Sequence, residues 1–151
     1  LALADFVRGP RTTARRPDEL VTAILVPDTA TTGRSGFMKL GARTYLVISI
    51  AMCAARIVEE HGTITDARVA VGSCSAVAQR LPAVEAALVG AAASESPNAA
   101  ISHAMVQDAL SPIDDLRSSA TYRADAATEL VRRTIAMTLQ SPETSKRSAA
   151  A

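Results

Sequence analysis

The sequence predicts an α+β fold in which a small antiparallel sheet packs with three helices. Two changes of pattern along the 151 residues support this class. Residues 37–74 are rich in strand-forming side chains and contain a two-residue alternation, whereas the residues after Gln79 show helical spacing and helix-ending signals. A chain of this length is sufficient for one sizeable core.

A β-hairpin is predicted within the sheet. Ala67, Val69 and Val71 fall on one face of an extended segment, and the alternate residues fall on the other. Residues 60–63 before this strand read EHGT. They are residue types that favour a tight turn, and they lie between two long apolar segments. The preceding segment, 45–59, contains alanines that would suit a helix. Its β-branched residues and the hairpin's need for a partner favour a strand.

Three helices are predicted after the sheet. The first ends at Gly90 and carries a short apolar face formed by Leu81, Val84 and Leu88. The second opens at Ser96-Pro97, a capping residue followed by proline, and leads into Ile101, Met105 and Ala109. The third starts at about Ala120 and has apolar residues at spacings of three and four, namely Ala127, Leu130, Val131, Ile135 and Leu139.

The region before the sheet is interrupted by Pro10, Pro17, Pro27 and Gly33. Two short apolar segments in it, 1–7 and 20–26, are predicted to be strand pieces joined by loops. Because two strands cannot bury a core of their own, this region either packs on the rest of the chain or is the end of another domain. The chain therefore divides into residues 1–35, a domain at 36–140 and a disordered tail at 141–151.

Composition and charge exclude several classes of function. The net charge is +1, with 16 Lys+Arg against 15 Asp+Glu, so no basic field would attract nucleic acid. The apolar run at 45–55 has 11 residues, short of the roughly 20 needed to cross a membrane as a helix. Cys53 and Cys74 do not indicate a disulfide framework, and no secretory leader pattern is visible. We therefore expect a cytoplasmic protein without nucleic acid or membrane partners.

The common nucleotide and hydrolase motifs are absent from the sequence. It contains no G-x-G-x-x-G, no P-loop and no G-x-S-x-G, so it indicates neither a nucleotide loop nor a nucleophile elbow. His61 and His103 do not have the spacing of a zinc site with Cys53 and Cys74. We therefore expect no metal site and assign no catalytic residue.

Two adjacent carboxylates, Asp114 and Asp115, precede the third predicted helix. Held close together they could do acid–base chemistry, because each negative charge raises the pKa of its neighbour. The other interpretation is that they cap the loop that opens the helix and pair with Arg117 or Arg123, near the positive end of the helix dipole. We favour this second interpretation.

Two lone cations, Lys39 and Arg43, stand in front of the longest apolar run. Lys39 could present its ammonium group at the edge of a pocket, as a donor to an electron-rich carbonyl or ring nitrogen. Alternatively, both side chains lie with their stems on the sheet and their charges in water. Taken alone, the pattern favours the second interpretation.

Several motifs occur in an order and spacing that resembles a known family. Phe37–Arg43 is followed by an apolar run, residues 67–72 read ARVAVG, and Arg80-Leu81 precedes the segment EAAL. The most specific motif is P-x-D-D-x-R-x-S-A-x-Y-R at 112–123. Together they resemble the flavin-binding subunits of molybdenum hydroxylases. That group contains carbon monoxide dehydrogenase medium subunits and the flavin part of xanthine dehydrogenases.

The resemblance implies a particular domain organisation and site. Residues 1–35 would be the end of an FAD-binding domain, and 36–140 would form the C-terminal domain, a three-stranded antiparallel sheet with a three-helix bundle. A missing N-terminal FAD-binding half would supply the glycine-rich loops that hold the FAD pyrophosphate. In the family, the lysine corresponding to Lys39 lies beside the flavin ring. The position of Val21 also touches the cofactor, with Leu20 next to it.

The resemblance also implies a function. The chain would be the C-terminal part of the FAD subunit of an oxidoreductase complex. Substrate would be hydroxylated at a molybdopterin centre in a large subunit, and electrons would pass through 2Fe–2S clusters in a small subunit to FAD. The alternative is a subunit-assembly module without a flavin site of its own.

Overall fold

The computed structural model describes residues 1–44, 46–95 and 99–141. Within these residues the helices and strands follow one another as α1 Leu3–Phe6, β1 Val7–Gly9, β2 Thr12–Thr13, a 3₁₀ turn Asp28–Ala30, β3 Arg34–Gly41, β4 Ser49–Glu60, β5 Thr63–Gly72, β6 Gln79–Arg80, α2 Pro82–Leu88, α3 His103–Gln107 and α4 Ala120–Gln140.

The main sheet is antiparallel and has the strand order β3-β4-β5-β6. The predicted α+β class is therefore confirmed. The sheet contains a fourth strand, β6, in addition to the three that were expected. Its two residues pair with Ala70 and Val71, a length too short to show any alternation in the sequence.

The predicted β-hairpin is confirmed between β4 and β5. His61 and Gly62 form the turn with φ of 52° and 80°, the left-handed conformation at both central positions that a type I′ turn requires. The alternation in β5 also holds, since Ala67, Val69 and Val71 are buried on the core face. The turn and the alternation together define the register of the hairpin.

The long strand before the turn begins later than predicted. β4 starts at Ser49 rather than at 45, and residues 46–48 lie outside the sheet. Tyr45 itself is outside the described residues. The β-branched side chains at 47 and 48 favour a strand locally, but β3 ends at Gly41 and offers them no partner.

A β-bulge marks the start of β4. Leu40 of β3 pairs with Ala51, but the next residue, Gly41, pairs with Ser49. Ile50 is therefore an extra residue that has no partner in the ladder. Bulges of this kind bend a strand and redirect its backbone groups, so the carbonyl of Ile50 is available to a group outside the sheet.

Helix α4 covers one face of the sheet and contacts mainly β4 and β3. Its predicted apolar face is confirmed, because Ala127, Val131 and Ile135 are completely buried. They belong to a single hydrophobic cluster with side chains of the strands and of α2: Cys53, Ala55, Ile57, Val69, Val71, Val84 and Leu88.

No helix among the described residues is long and apolar enough to cross a membrane.

The three predicted helices are present, with one difference of length. α2 ends just before Gly90, whose φ of 89° is the left-handed conformation of a glycine stop. α3 has only five residues and begins at His103. Ser102 is its N-cap, and the Ser102 side chain accepts a hydrogen bond from the N–H of Met105. The start predicted at Ser96-Pro97 lies outside the described residues.

The predictions for the first 35 residues are wrong in detail. Most of segment 1–7 is the helical turn α1, and only Val7 enters a strand, β1, which pairs with β2. Segment 20–26 has no regular structure. A strand requires hydrogen bonds to a neighbour, and among the described residues no strand pairs with 20–26.

Candidate functional site

Lys39 lies on the face of the sheet that α4 does not cover. Side chains in β3 alternate, and a Cβ added at Gly36 would collide with the Thr138 hydroxyl group of α4. Even-numbered positions of β3 therefore face the helix, and Phe37 and Lys39 face away from it. Both of these residues are exposed. The sequence indicated Lys39, and the structure places it on an open surface.

The ammonium group of Lys39 is held by the segment after β3. Its Nζ donates a hydrogen bond to the carbonyl oxygen of Val47 at 2.5 Å. An ammonium group has three N–H donors, so two remain for another ligand. Neither of the two interpretations of Lys39 included this contact. Arg43 is in the same segment and is exposed.

The segment after β3 packs closely on the end of that strand. A Cβ added at Gly41 would come 2.6 Å from Cγ1 of Val47, which is closer than real Cβ atoms approach. The absence of a side chain at Gly41 therefore allows Val47 to lie against the strand. This approach brings the Val47 carbonyl within reach of Lys39.

Leu20 and Val21 line a groove to which Lys39 does not contribute. They are 87% and 57% exposed, and the walls of this groove of about 570 Å³ are formed, within the part of the chain that the structure describes, by residues between 1 and 25. The structure of the described residues therefore does not bring these two side chains together with Lys39. The groove is largely apolar, with Leu3 and Phe6 among its lining residues.

Asp114 and Asp115 form hydrogen bonds at the start of α4. Oδ1 of Asp114 accepts from the N–H of Ala120 at 2.6 Å, which caps the first turn of the helix. Asp115 pairs with Arg117 at 2.7 Å and with Arg123 at 2.6 Å. The predicted capping and ion-pair contacts are therefore confirmed.

The pKa of the Asp115 carboxyl group lies well below its usual range. The N–H of Arg117 is the main cause, followed by the guanidinium group of Arg123. The Arg117 guanidinium and the N–H of Ser118 contribute in the same direction. Asp115 is thus a fixed negative charge at the point where the 114–118 turn meets α4.

Arg123 is buried at 3% exposure, and sequence reasoning did not reveal its full role. Its Nη1 donates to the carbonyl oxygens of Ile50 at 2.6 Å and Ser73 at 3.0 Å, and its Nη2 donates to Asp115. One guanidinium group therefore joins the start of β4, the end of β5 and the turn before α4. In the sequence, the one signal for a buried role of Arg123 is the position of an arginine among the apolar residues of the helix.

A second ion pair that the sequence did not reveal joins β6 to α2. Glu85 is buried, and its two carboxylate oxygens accept from Arg80 at 2.5 and 2.6 Å. Burial alone would raise the pKa of Glu85, but the hydrogen bonds from Arg80 and from the N–H of Val69 outweigh it and lower the pKa. The pair attaches the short edge strand to the rest of the domain.

The uncovered face of the sheet also carries a groove of about 690 Å³. Arg56 and Arg68 are directly paired across β4 and β5, and Asp66 bridges them at 2.5 and 3.0 Å. Ala54 and Ala70 contribute to its apolar lining. The groove therefore combines a small-residue surface with fixed positive charge, on the same face as Lys39.

The two cysteines are buried free thiols. Burial raises the pKa of Cys53 to about 11, against a smaller opposing effect of a hydrogen bond with Thr134. Burial also raises the pKa of Cys74, opposed by the charge of Arg123. Among the described residues no group of three or more His, Cys, Asp or Glu side chains is placed to hold a metal ion.

This fold, an antiparallel sheet with a helix packed on one face, corresponds to a known class of flavoprotein domain. Residues 37–138 match the family model described as the CO dehydrogenase flavoprotein C-terminal domain. The chain belongs to this family, since the match covers more than half of its residues. The resemblance drawn from the motifs is thereby confirmed.

Individual relatives agree with this assignment. The chain is similar to the nicotine 6-hydroxylase medium subunit of Paenarthrobacter nicotinovorans, with 31% identity covering 87% of this chain and 45% of the relative. It is also similar to a carbon monoxide dehydrogenase from Hydrogenophaga pseudoflava, with 27% identity and a TM-score of 0.74, covering 91% of this chain and 47% of that one.

A third comparison concerns the fold alone. Quinoline 2-oxidoreductase from Pseudomonas putida 86 has 23% identity and a TM-score of 0.78, covering 90% of this chain and 46% of that one. The chain spans about half the length of the relatives it matches.

Proposed function

We propose that the chain is the C-terminal part of the FAD subunit of a molybdenum hydroxylase and that its domain at 36–140 contributes Lys39 to the flavin site. The observation that carries this proposal is the position of Lys39. Its side chain is exposed on the uncovered face of the sheet, and its ammonium group donates a hydrogen bond to the Val47 carbonyl. Membership of the flavoprotein C-terminal domain family supports it. Residues 1–35 would belong to the adjoining FAD-binding domain.

The residues present fit a flavin in two respects. Lys39 offers two further N–H donors to an electron-rich ring atom, and a positive charge favours the negative charge that the ring gains on reduction. Leu20 and Val21 offer exposed apolar side chains to a flat ring. Association with an FAD-binding half would have to bring these two groups together, because the described residues do not.

The partners follow from the same proposal. When bound, FAD would accept electrons that reach it through 2Fe–2S clusters of a small subunit after hydroxylation at a molybdopterin centre of a large subunit. The contribution of this chain is to hold and orient the flavin and to tune its electrostatics. We also propose a cytoplasmic setting, which the two free thiols support.

A visible absorbance spectrum and an FAD titration test the proposal. The titration is made on the 151-residue chain alone and on its mixture with the polypeptide that corresponds to the other half of a related medium subunit. We expect FAD to bind in the mixture only. If the two halves associate and neither the chain nor the mixture binds FAD, the chain is a subunit-assembly module and the proposal is wrong.

A further inference from the structure

The bulge at Ile50 leaves a buried carbonyl group without a strand partner. Gly41 pairs with Ser49 and Leu40 with Ala51, so Ile50 is left out of the ladder on that side. Ile50 is 7% exposed, so water cannot easily replace a missing partner. An unpaired buried carbonyl would cost free energy, and some donor must therefore reach it.

Arg123 supplies the strong donor from the first turn of α4, beside a weak contact from the Cys74 thiol at 3.8 Å. Its Nη1 lies 2.6 Å from the Ile50 oxygen and 3.0 Å from the Ser73 oxygen. Ser73 has a φ of 67°, an unusual conformation for a residue with a side chain, at the point where β5 ends. Arg123 thus holds two irregular backbone positions that ordinary sheet pairing does not define.

The same bulge begins the segment that holds Lys39. Val47 precedes Ile50 by three residues, and its carbonyl oxygen accepts the hydrogen bond from Lys39 Nζ. With Ile50 attached to Arg123, only two residues separate the anchored position from Val47. A displacement of the bulge would therefore move the Val47 carbonyl relative to β3.

We propose that Arg123 is a positioning residue for Lys39. Through the Ile50 carbonyl it sets the path of residues 46–49, and this path places the Val47 oxygen where the Lys39 ammonium group binds it. Asp115 orients the guanidinium group through Nη2 at 2.6 Å. That this positioning matters for a flavin rests on the proposed function. That Arg123 positions Lys39 is argued from the contacts alone and does not depend on the proposed function.

Arg132 provides a matched control on the same helix. Its Nε and Nη2 donate to the carbonyl oxygen of Ile101 at 3.2 and 2.7 Å, so it also attaches α4 to a backbone segment. Ile101 precedes α3 and has no part in the β3–β4 junction. Arg132→Met therefore removes a part-buried arginine–carbonyl contact of the same helix without touching the bulge.

Chemical labelling of Lys39 in the full chain tests the proposal without flavin. Lys39 and Lys146 are the two lysines of the chain, so acetylation of Lys39 can be followed by mass spectrometry with Lys146 as an internal reference. We expect Arg123→Met to raise the labelling rate of Lys39 by about tenfold, the ratio that loss of one charged hydrogen bond implies. Arg132→Met should leave the rate at the wild-type value.

Equal labelling rates in Arg123→Met and Arg132→Met would overturn the proposal. Thermal unfolding shows whether each variant is folded. If Arg123→Met does not fold, Arg123→Lys is used, since it retains the charge but lacks the forked donors that reach two carbonyls. A smaller increase in labelling is then expected, and an unchanged rate in folded Arg123→Lys would contradict the positioning role.

A second measurement separates this inference from the proposed function. In the assembled complex containing FAD, Arg123→Lys should shift the flavin reduction potential in the same direction as Lys39→Ala, and Arg132→Met should not. If Lys39→Ala itself leaves the potential unchanged, the proposed flavin contact fails. The labelling experiment still decides whether Arg123 positions Lys39.

Discussion

Asp115 accepts four hydrogen bonds at the turn before α4, two from Arg117, one from Ser118 and one from Arg123. These donors stabilise the ionised carboxylate and lower its pKa, first through the N–H of Arg117. The role of Asp115 is therefore to hold a turn and a buried guanidinium group. Acid–base chemistry near neutral pH would require the opposite shift of its pKa.

The depressed pKa of Asp115 predicts a specific dependence of stability on pH. Because the folded-state pKa lies below the ordinary value of 3.8, the contribution of Asp115 is fully present above that pH and is lost as the pH falls below it. In Asp115→Asn, the free energy of unfolding should decrease less between pH 7 and pH 3 than in the wild type. Urea titrations at the two pH values measure the difference, and an equal decrease in both proteins would contradict the assignment.

At the residue scale, the types of side chain predicted part of the site. Adjacent carboxylates before a helix, with arginines two and eight positions after the second carboxylate, are sufficient to predict capping and pairing. The contacts of Arg123 with Ile50 and Ser73 could not be predicted in this way. They depend on a bulge and on a left-handed residue, and neither feature has a local sequence signal here.

The largest structural element, α4, approaches β3 closely because Gly36 has no side chain. A Cβ at this position would collide with the Thr138 hydroxyl group and lie 3.0 Å from the terminal methyl group of Met137. Thr138 is completely buried, and its hydroxyl group donates a hydrogen bond to the carbonyl oxygen of Thr134. A change of side-chain rotamer would break this hydrogen bond. The helix would have to move outward to accept a larger residue.

Gly36→Ala is therefore expected to lower the free energy of unfolding by about 1–3 kcal/mol, the typical cost of overpacking a core. Gly9→Ala is the control, since a Cβ at Gly9 meets nothing closer than an ordinary contact at 3.9 Å. Adding Thr138→Ala to Gly36→Ala should recover part of the loss, measured by denaturant unfolding. Equal stability of Gly36→Ala and Gly9→Ala would show that the close approach has no energetic consequence.

At the element scale, long periodic segments were predictable and short ones were not. The apolar spacing of α4 and the alternation of β5 predicted both elements, because each extends over enough residues to show its period. β6 and α3 are too short for this test and are held by tertiary contacts, such as the Arg80–Glu85 pair for β6. Segment 20–26 has strand-forming residues but, among the described residues, no strand partner.

At the scale of the molecule, exposed apolar side chains concentrate before the sheet. The domain formed by β3 to α4 buries one continuous core, whereas the first 26 residues leave many large apolar side chains exposed: Leu1, Leu3, Leu20, Val21, Ile24, Leu25 and Val26. Such a concentration is typical of a surface that another polypeptide covers. Under the proposed function, an FAD-binding half would cover it.

The reduction potential of the flavin in the assembled complex tests the central claim most directly. Lys39→Ala removes the positive charge that would favour the negative charge gained on reduction. We expect the potential to fall by about 30–60 mV, the equivalent of one charged hydrogen bond for a two-electron couple. Arg43→Ala, which removes another exposed cation near the end of β3, should leave the potential near the wild-type value. An unchanged potential in a folded, FAD-containing Lys39→Ala complex would contradict the claim that Lys39 faces the flavin.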